Sequence, residues 1–231
     1  MLFQEYRRGL AGLFSNPRLL QVSGLSALRT MGQSALSFFL PLYLFSTLGL
    51  GPALTGIYTS MLTFPAMFAG PVMGTLSDRW GRKPVLVAGM GAAAVLSTLL
   101  GFFRPSVEVS NFSSSGLGGT MLAIGAAFGG ADFFLISLIL LGLFLFSMRP
   151  IIFAYAMDVT PKELGATTVG FVFSTNQVLS ALSPFIAGII ADTLGPRYAF
   201  LFVGTLIIGG CIMAALLPKP LPPEDSLWAA R

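Results

Sequence analysis

Long apolar runs alternate with short polar interruptions along the whole chain. The runs fall at residues 19–48, 53–76, 84–103, 133–157, 166–191 and 198–217. A helix rising 1.5 Å per residue needs about 20 apolar residues to cross the hydrocarbon core of a bilayer. The pattern therefore predicts an all-α integral membrane protein with six transmembrane helices. The first run is long enough to tilt, or to begin at the interface.

The segments outside these runs divide the chain into a lead-in (1–18), a six-span bundle (19–217) and a tail (218–231). In the lead-in, Arg7 and Arg8 precede apolar residues, which superficially resembles a signal peptide. The polar break Ser15-Asn16-Pro17-Arg18 and the length of the run behind it argue instead for a retained, partly amphipathic cytoplasmic segment. Residues 104–132 start polar and then read MLAIGAAFGGA, too short for a span. They either extend the fourth helix outward or lie at the interface. Asn111-Phe112-Ser113 matches a glycosylation acceptor, a triplet common enough by chance to carry little weight.

Composition agrees with the pattern. Hydrophobic residues make up 55% of the 231 and charged residues 10%, against about 25% charged in soluble domains. Mean hydropathy is +0.83. With no His and a single cysteine, Cys211, the chain offers no His/Cys metal site, no Ser-His-Asp or Cys-His nucleophile system and no internal disulfide. This argues against an enzyme, and nothing in the sequence calls for a cofactor or a metal.

The formal charge of +4 reflects 13 basic residues scattered between apolar runs. That distribution fits membrane topology better than nucleic-acid binding. With the N-terminus cytoplasmic, Arg7, Arg8, Arg18, Arg79, Arg82, Lys83, Lys162, Lys219 and Arg231 lie inside, Arg104 and Arg197 outside, and Arg29 and Arg149 within spans. The asymmetry places both termini in the cytoplasm, and the membrane is read as the cell (inner) membrane.

Between the second and third runs stands Gly74-Thr75-Leu76-Ser77-Asp78-Arg79-Trp80-Gly81-Arg82-Lys83-Pro84. Gly74 permits close helix approach, Asp78 offers a carboxylate at the membrane edge, and Gly81 lets a short connection turn. Arg79, Arg82 and Lys83 suit a cytoplasmic loop facing anionic headgroups. A purely topological loop accounts for the bases but not for Asp78 and the two glycines. Further on, Thr160-Pro161-Lys162-Glu163 reads as an N-cap, a proline at the first helical position and a capping-box Glu. These would open the fifth helix with its positive dipole end at the same face.

The first of these segments resembles the signature loop of the major facilitator superfamily, at the position that family gives it between the second and third helices of a six-helix half. The resemblance implies that Asp78 sits by a helix end of the opposite half and helps hold the outward-facing state. Arg79 and Arg82 would belong to the accompanying charge network, with Thr160 and Glu163 at the helix end that serves as partner. Residues 165–204, with Pro184, Gly188, Asp192 and Gly195, look like the last two helices of a half. Members usually have twelve spans, so this chain resembles half of one. Its ends look more like those of a C-terminal half.

Two arginines interrupt the apolar runs. Arg29 lies ten residues past Leu19 and Arg149 nine before Asp158, each about 14 Å from the cytoplasmic edge at 1.5 Å per residue. Charges within spans usually face a cavity or a partner, and in the resembled family the first and fourth helices of each half line the central cavity. Two guanidiniums at one depth suggest an anion site. Ser26, Arg29, Gln33 and Ser37 share one helical face, and the fifth run adds Asn176, Gln177 and Ser180. The substrate-binding candidates are thus Arg29, Gln33, Arg149, Asn176 and Gln177. The bland alternatives are an Arg149 that snorkels and polar residues that only bond between helices.

Asp132, Asp158 and Asp192 all fall near span ends, which leaves no obvious proton site and favours an anion exchanger or facilitator. Pro41, Pro65, Pro71, Pro150 and Pro184 within the runs would permit bending. The leading expectation is transport of a small solute, such as an organic anion, by alternating access. One six-helix bundle cannot enclose a site alone, so it would work as a homodimer or with a second six-helix half. A truncated fragment of a twelve-span transporter and a non-transporting membrane partner protein remain the alternatives. The partners implied are a small-molecule solute, the lipid bilayer and that second half, with no nucleic acid.

Overall fold

The computed structural model describes residues 16–102, 133–160 and 164–218. These form six α-helices: α1 (Pro17–Leu42), α2 (Pro52–Trp80), α3 (Arg82–Leu100), α4 (Phe133–Asp158), α5 (Gly165–Leu194) and α6 (Pro196–Leu216). The readings of the lead-in before Asn16, of residues 104–132 with their Asn111 triplet, of Glu163 with Pro161 and Lys162, and of the tail beyond Pro218 lie outside the described residues.

Local chemistry sets the helix ends. The polar break at the chain's start is a helix cap: the Asn16 carboxamide oxygen accepts from the backbone N–H groups of Arg18 (3.0 Å) and Leu19 (3.3 Å), and Pro17 occupies the first turn. At the other end of α1, behind Pro41, the helix widens into a π turn (Tyr43–Thr47). The α2–α3 and α5–α6 junctions each consist of one glycine, Gly81 at φ 91° and Gly195 at φ 108°, where a side chain would be strained.

The helices interlock in a pattern that repeats. The most extensive contacts are α2 on α4, α1 on α5 and α3 on α6, followed by α1 on α6 and α3 on α4. Exchanging α1 with α4, α2 with α5 and α3 with α6 reproduces this set. The two single-glycine junctions exchange as well. Because each unit has three helices, the second runs opposite to the first, the nested inverted repeat expected of six-helix transporter halves.

Close packing relies on small residues at crossings. The tightest is Gly142 on α4, where an added Cβ would run into the Leu62 backbone carbonyl on α2. Gly74 is different: a Cβ there would meet nothing within 4 Å, so the close approach expected of it is not made among the described residues. The core runs along α1, α3, α4 and α6 (Leu25, Leu36, Met90, Leu138, Leu145, Ile207), while Phe64, Met67, Phe68 and Val72 of α2 and Val178, Leu182 and Phe185 of α5 stay exposed. Helices α3 to α6 are each long and apolar enough to cross a membrane. For α1, the polar residues that lower its hydropathy form the site.

Candidate functional site

Eight of the fourteen buried polar residues among those described lie on two helices that pack together: Ser23, Ser26, Arg29 and Thr30 on α1, and Thr168, Asn176, Ser180 and Ser183 on α5. They form a polar seam through an otherwise apolar bundle. The Asn176 amide donates to the Ser26 hydroxyl (2.8 Å), and the Ser183 hydroxyl donates to the Met31 carbonyl (2.7 Å).

Arg29 anchors the seam to α4. It is 1% exposed; its Nη1 donates to the Leu145 carbonyl (2.7 Å) and its Nη2 to the Thr30 hydroxyl (3.2 Å). The next carbonyl along α4, that of Phe146, lacks its helical donor because Pro150 has no N–H.

Arg149 stands one turn beyond Leu145, and its charge acts on Arg29. The two arginines are therefore neighbours with opposite settings, since Arg149 is exposed and forms no hydrogen bond or ion pair among the described residues. Gln33 is half-buried, Asn176 buried and Gln177 exposed. The structure joins Arg29 and Asn176 to one seam through Thr30 and Ser26; Gln177 meets it through its backbone carbonyl, which accepts from the Ser180 hydroxyl (3.2 Å).

The seam is incompletely satisfied. Among the described residues, seven buried side-chain polar atoms lack a partner, and five belong to it: Ser23 Oγ, Arg29 Nε, Gln33 Oε1, Thr168 Oγ1 and Asn176 Oδ1. Buried polar atoms are normally hydrogen-bonded, and exceptions mark places where water or a ligand completes the network. Sequence reasoning passed over Ser23, Thr168 and Ser183. A signal existed: Thr168, Val172, Asn176, Ser180, Ser183 and Ala187 recur at helical spacing and form the buried stripe of α5.

The signature-loop end is arranged differently. Arg82 Nε pairs with Asp158 at 2.9 Å, and the Lys83 ammonium donates to the Leu217 carbonyl (2.6 Å). Two of the three bases read as facing headgroups are thus held within the protein, and Arg79 alone is exposed. Asp78 is exposed too, and its charge repels that of Asp158, the carboxylate that takes the bridge. The Tyr155 hydroxyl donates to the Pro218 carbonyl, and the Asn16 amide to the Val159 carbonyl (3.2 Å). The Thr160 hydroxyl donates back to the Ala156 carbonyl (2.8 Å) at the end of α4, and Leu164, whose side chain makes no capping bond, precedes α5; the N–H groups that a cap at Thr160 would meet lie outside the described residues.

The interlocked six-helix bundle, with a polar seam in its middle and a charged, tied end, is that of a helical membrane protein. A profile of the Major Facilitator Superfamily matches residues 22–230, and the chain belongs to that superfamily. It is a multi-pass integral membrane protein. It is 28% identical over 186 residues to the multi-drug resistance efflux pump PmrA of Streptococcus pneumoniae, covering 78% of this chain and 40% of that protein. It is also 28% identical over 170 residues to human monocarboxylate transporter 2, covering 73% and 30%. The inward open structure of the xylose transporter XylE from E. coli shares the fold, with a TM-score of 0.61 at 16% identity, covering 86% of this chain and 47% of that one. The chain thus spans less than half the length of these relatives.

Proposed function

We propose that the chain is one six-span half of a solute carrier that works by alternating access and binds a small solute carrying a carboxylate. Arg149 carries the reading. It is an exposed cation in the middle of a 26-residue apolar helix, without a protein partner among the described residues. Such a charge is costly in a bilayer unless it meets a cavity or an anion. Arg29 sits behind it with its Nη atoms already bonded, so its role is to fix α1 against α4 and add positive potential. Gln33, Asn176 and Gln177 supply orienting hydrogen bonds. The human relative's name, a monocarboxylate transporter, supports this solute class; the pneumococcal relative's name points to drugs.

The signature-loop end faces the cytoplasm of the cell (inner) membrane, with 1–18 and 218–231 as cytoplasmic flanks of the bundle 19–217. The second half is another copy or a separate six-helix segment, met by Asp78 at the end of its fifth helix. A two-fold axis along the membrane normal allows two copies to do this without inverting either.

Uptake into vesicles holding the purified protein tests the reading, comparing a labelled monocarboxylate, a sugar and a lipophilic cation. Carboxylate uptake is expected, falling about tenfold or more in Arg149→Gln, the equivalent of one charge-assisted hydrogen bond. Uptake of the cation alone overturns the anion site. For the homodimer, Asp78→Cys combined with Thr160→Cys, in a Cys211→Ser background, is expected to give crosslinked dimers. A strictly monomeric protein in membranes removes that version.

A further inference from the structure

Where two helices cross at a glycine, the group that stands over it decides how firmly they are held. Three glycines on three helices face methionine thioethers from a neighbouring helix. A Cβ added to Gly89 of α3 would lie 2.6 Å from Met148 Sδ of α4, one on Gly210 of α6 2.6 Å from Met90 Cε of α3, and one on Gly24 of α1 2.7 Å from Met213 Cε of α6. The contacts run in series, α4 to α3 to α6 to α1, and the Arg29–Leu145 bond closes the ring from α1 back to α4. Gly24 and Gly89 stand seven residues from the loop-end start of their helices and Gly210 six from the loop-end finish of its own, all about 9–11 Å in. The three glycines thus form one layer, between the signature-loop end and Arg149.

Farther from the loop the crossings are of another kind. Gly142 of α4 faces the Leu62 backbone carbonyl of α2. A Cβ on Gly204 of α6 would lie 3.5 Å from both the backbone N and the Cα of Thr98 on α3, and one on Gly101, at the end of α3, 3.3 Å from the Arg197 carbonyl. By the same count these stand about 18–29 Å from the loop end. Backbone against backbone has no rotatable group between, whereas an unbranched thioether follows a shifting neighbour by turning its three side-chain bonds.

We propose that the methionine layer is a compliant joint: as the carrier changes state, α1, α3, α4 and α6 shift against one another there while the outer crossings hold still. The proposal rests on the alternating-access reading above, which supplies the motion. The ties at the loop end run through the long side chains of Arg82 and Lys83, which can follow such a shift.

Two disulfides, one per level, test it in the full-length protein. Gly91→Cys faces the native Cys211 across the α3–α6 contact, where a Cβ at position 91 would lie 3.7 Å from Cys211 Sγ, within reach of a bridge after a small shift. Thr98→Cys with Gly204→Cys, in a Cys211→Ser background, bridges the same two helices at the outer level. In vesicles, oxidation by copper phenanthroline is expected to slow uptake of a labelled monocarboxylate about tenfold or more in the first protein, reversed by dithiothreitol, and to change it less than twofold in the second. Thermal denaturation gives a reading that needs no transport. Gly89→Ala and Gly210→Ala should lower Tm by less than about 3 °C, because a thioether swings aside, whereas Gly142→Ala should lower it by about 6 °C or more, or prevent folding. Gly204→Ala should fall between them. The proposal is overturned if the inner bridge leaves uptake as fast as in the reduced protein, if the inner pair does not oxidise, if the outer bridge blocks uptake as fully as the inner one, or if Gly89→Ala and Gly210→Ala cost as much as Gly142→Ala. Absence of uptake in every reduced protein sinks the alternating-access reading instead, and the joint then stands or falls on the melting temperatures.

Discussion

The signature-loop end and the α1–α5 seam are both polar, yet they treat their polar groups in opposite ways. At the loop end Asp78 and Arg79 are exposed, but a set of other groups is tied to the protein: Arg82 to Asp158, Lys83 to Leu217, Tyr155 to Pro218 and Asn16 to Val159, with only Arg82 Nη1 left over among buried atoms. The seam holds five such leftovers in about three turns of α1 and two to three of α5. A satisfied polar cluster fixes helices relative to one another, whereas an unsatisfied one costs stability and retains capacity to bind. The bundle thus separates holding from binding along its length.

Changing the seam's anchor should have the largest effect. Arg29→Met removes a charged donor to Leu145, a loss of about 1.5–3 kcal/mol for a bond of that kind. We expect solute uptake in vesicles to fall about tenfold or more, since 1.4 kcal/mol is tenfold. Unchanged uptake would place the seam outside the transport path. Asp158→Asn should come next. Its bridge is partly exposed, so the loss is about 1 kcal/mol and the melting temperature falls by about 2–4 °C in a domain of this size.

Asn176→Leu sharpens the contrast, because it should lower uptake while leaving the melting temperature unchanged within about 2 °C: the lost bond to Ser26 is offset by removal of an orphaned buried acceptor. A large destabilisation would show that the seam holds the fold as the loop end does. The smallest effect is expected from Thr168→Val, which keeps the shape and deletes an unpartnered hydroxyl, for a neutral or slightly stabilising change of less than about 1 kcal/mol by thermal denaturation.

Much of the bundle was readable from the residues because apolar run length and helix punctuation are local properties. The run at 84–103 became Arg82–Leu100 and that at 133–157 became Phe133–Asp158. Asn16-Pro17 and Gly81 announced their turns in the same way. That Arg29 and Arg149 lie near each other was expected from rise per residue, and the charge of Arg149 does act on Arg29. What could not be read was partnership across helices. Nothing local distinguishes Arg29, buried against Leu145 from 116 residues away, from Arg149, exposed one turn on. Thr160 reads as a cap because Pro161 and Glu163 follow it, and of its bonds only the one back to the Ala156 carbonyl of α4 falls within the described residues. The crossing at Gly142 depends on where α2 lies, which no single run encodes.

The interlocking of the two triplets has a consequence for biogenesis. In its folded setting Arg29 depends on Leu145, 116 residues later, and Ser26 meets Asn176 150 residues later. At about 5–20 residues per second of synthesis, the first helix waits about 6–23 s for its anchor to leave the ribosome. Throughout that interval the guanidinium keeps the neighbouring Thr30 hydroxyl but lacks the carbonyl that anchors it to α4. The insertion machinery, or a chaperone beside it, must shelter α1 until α4 arrives.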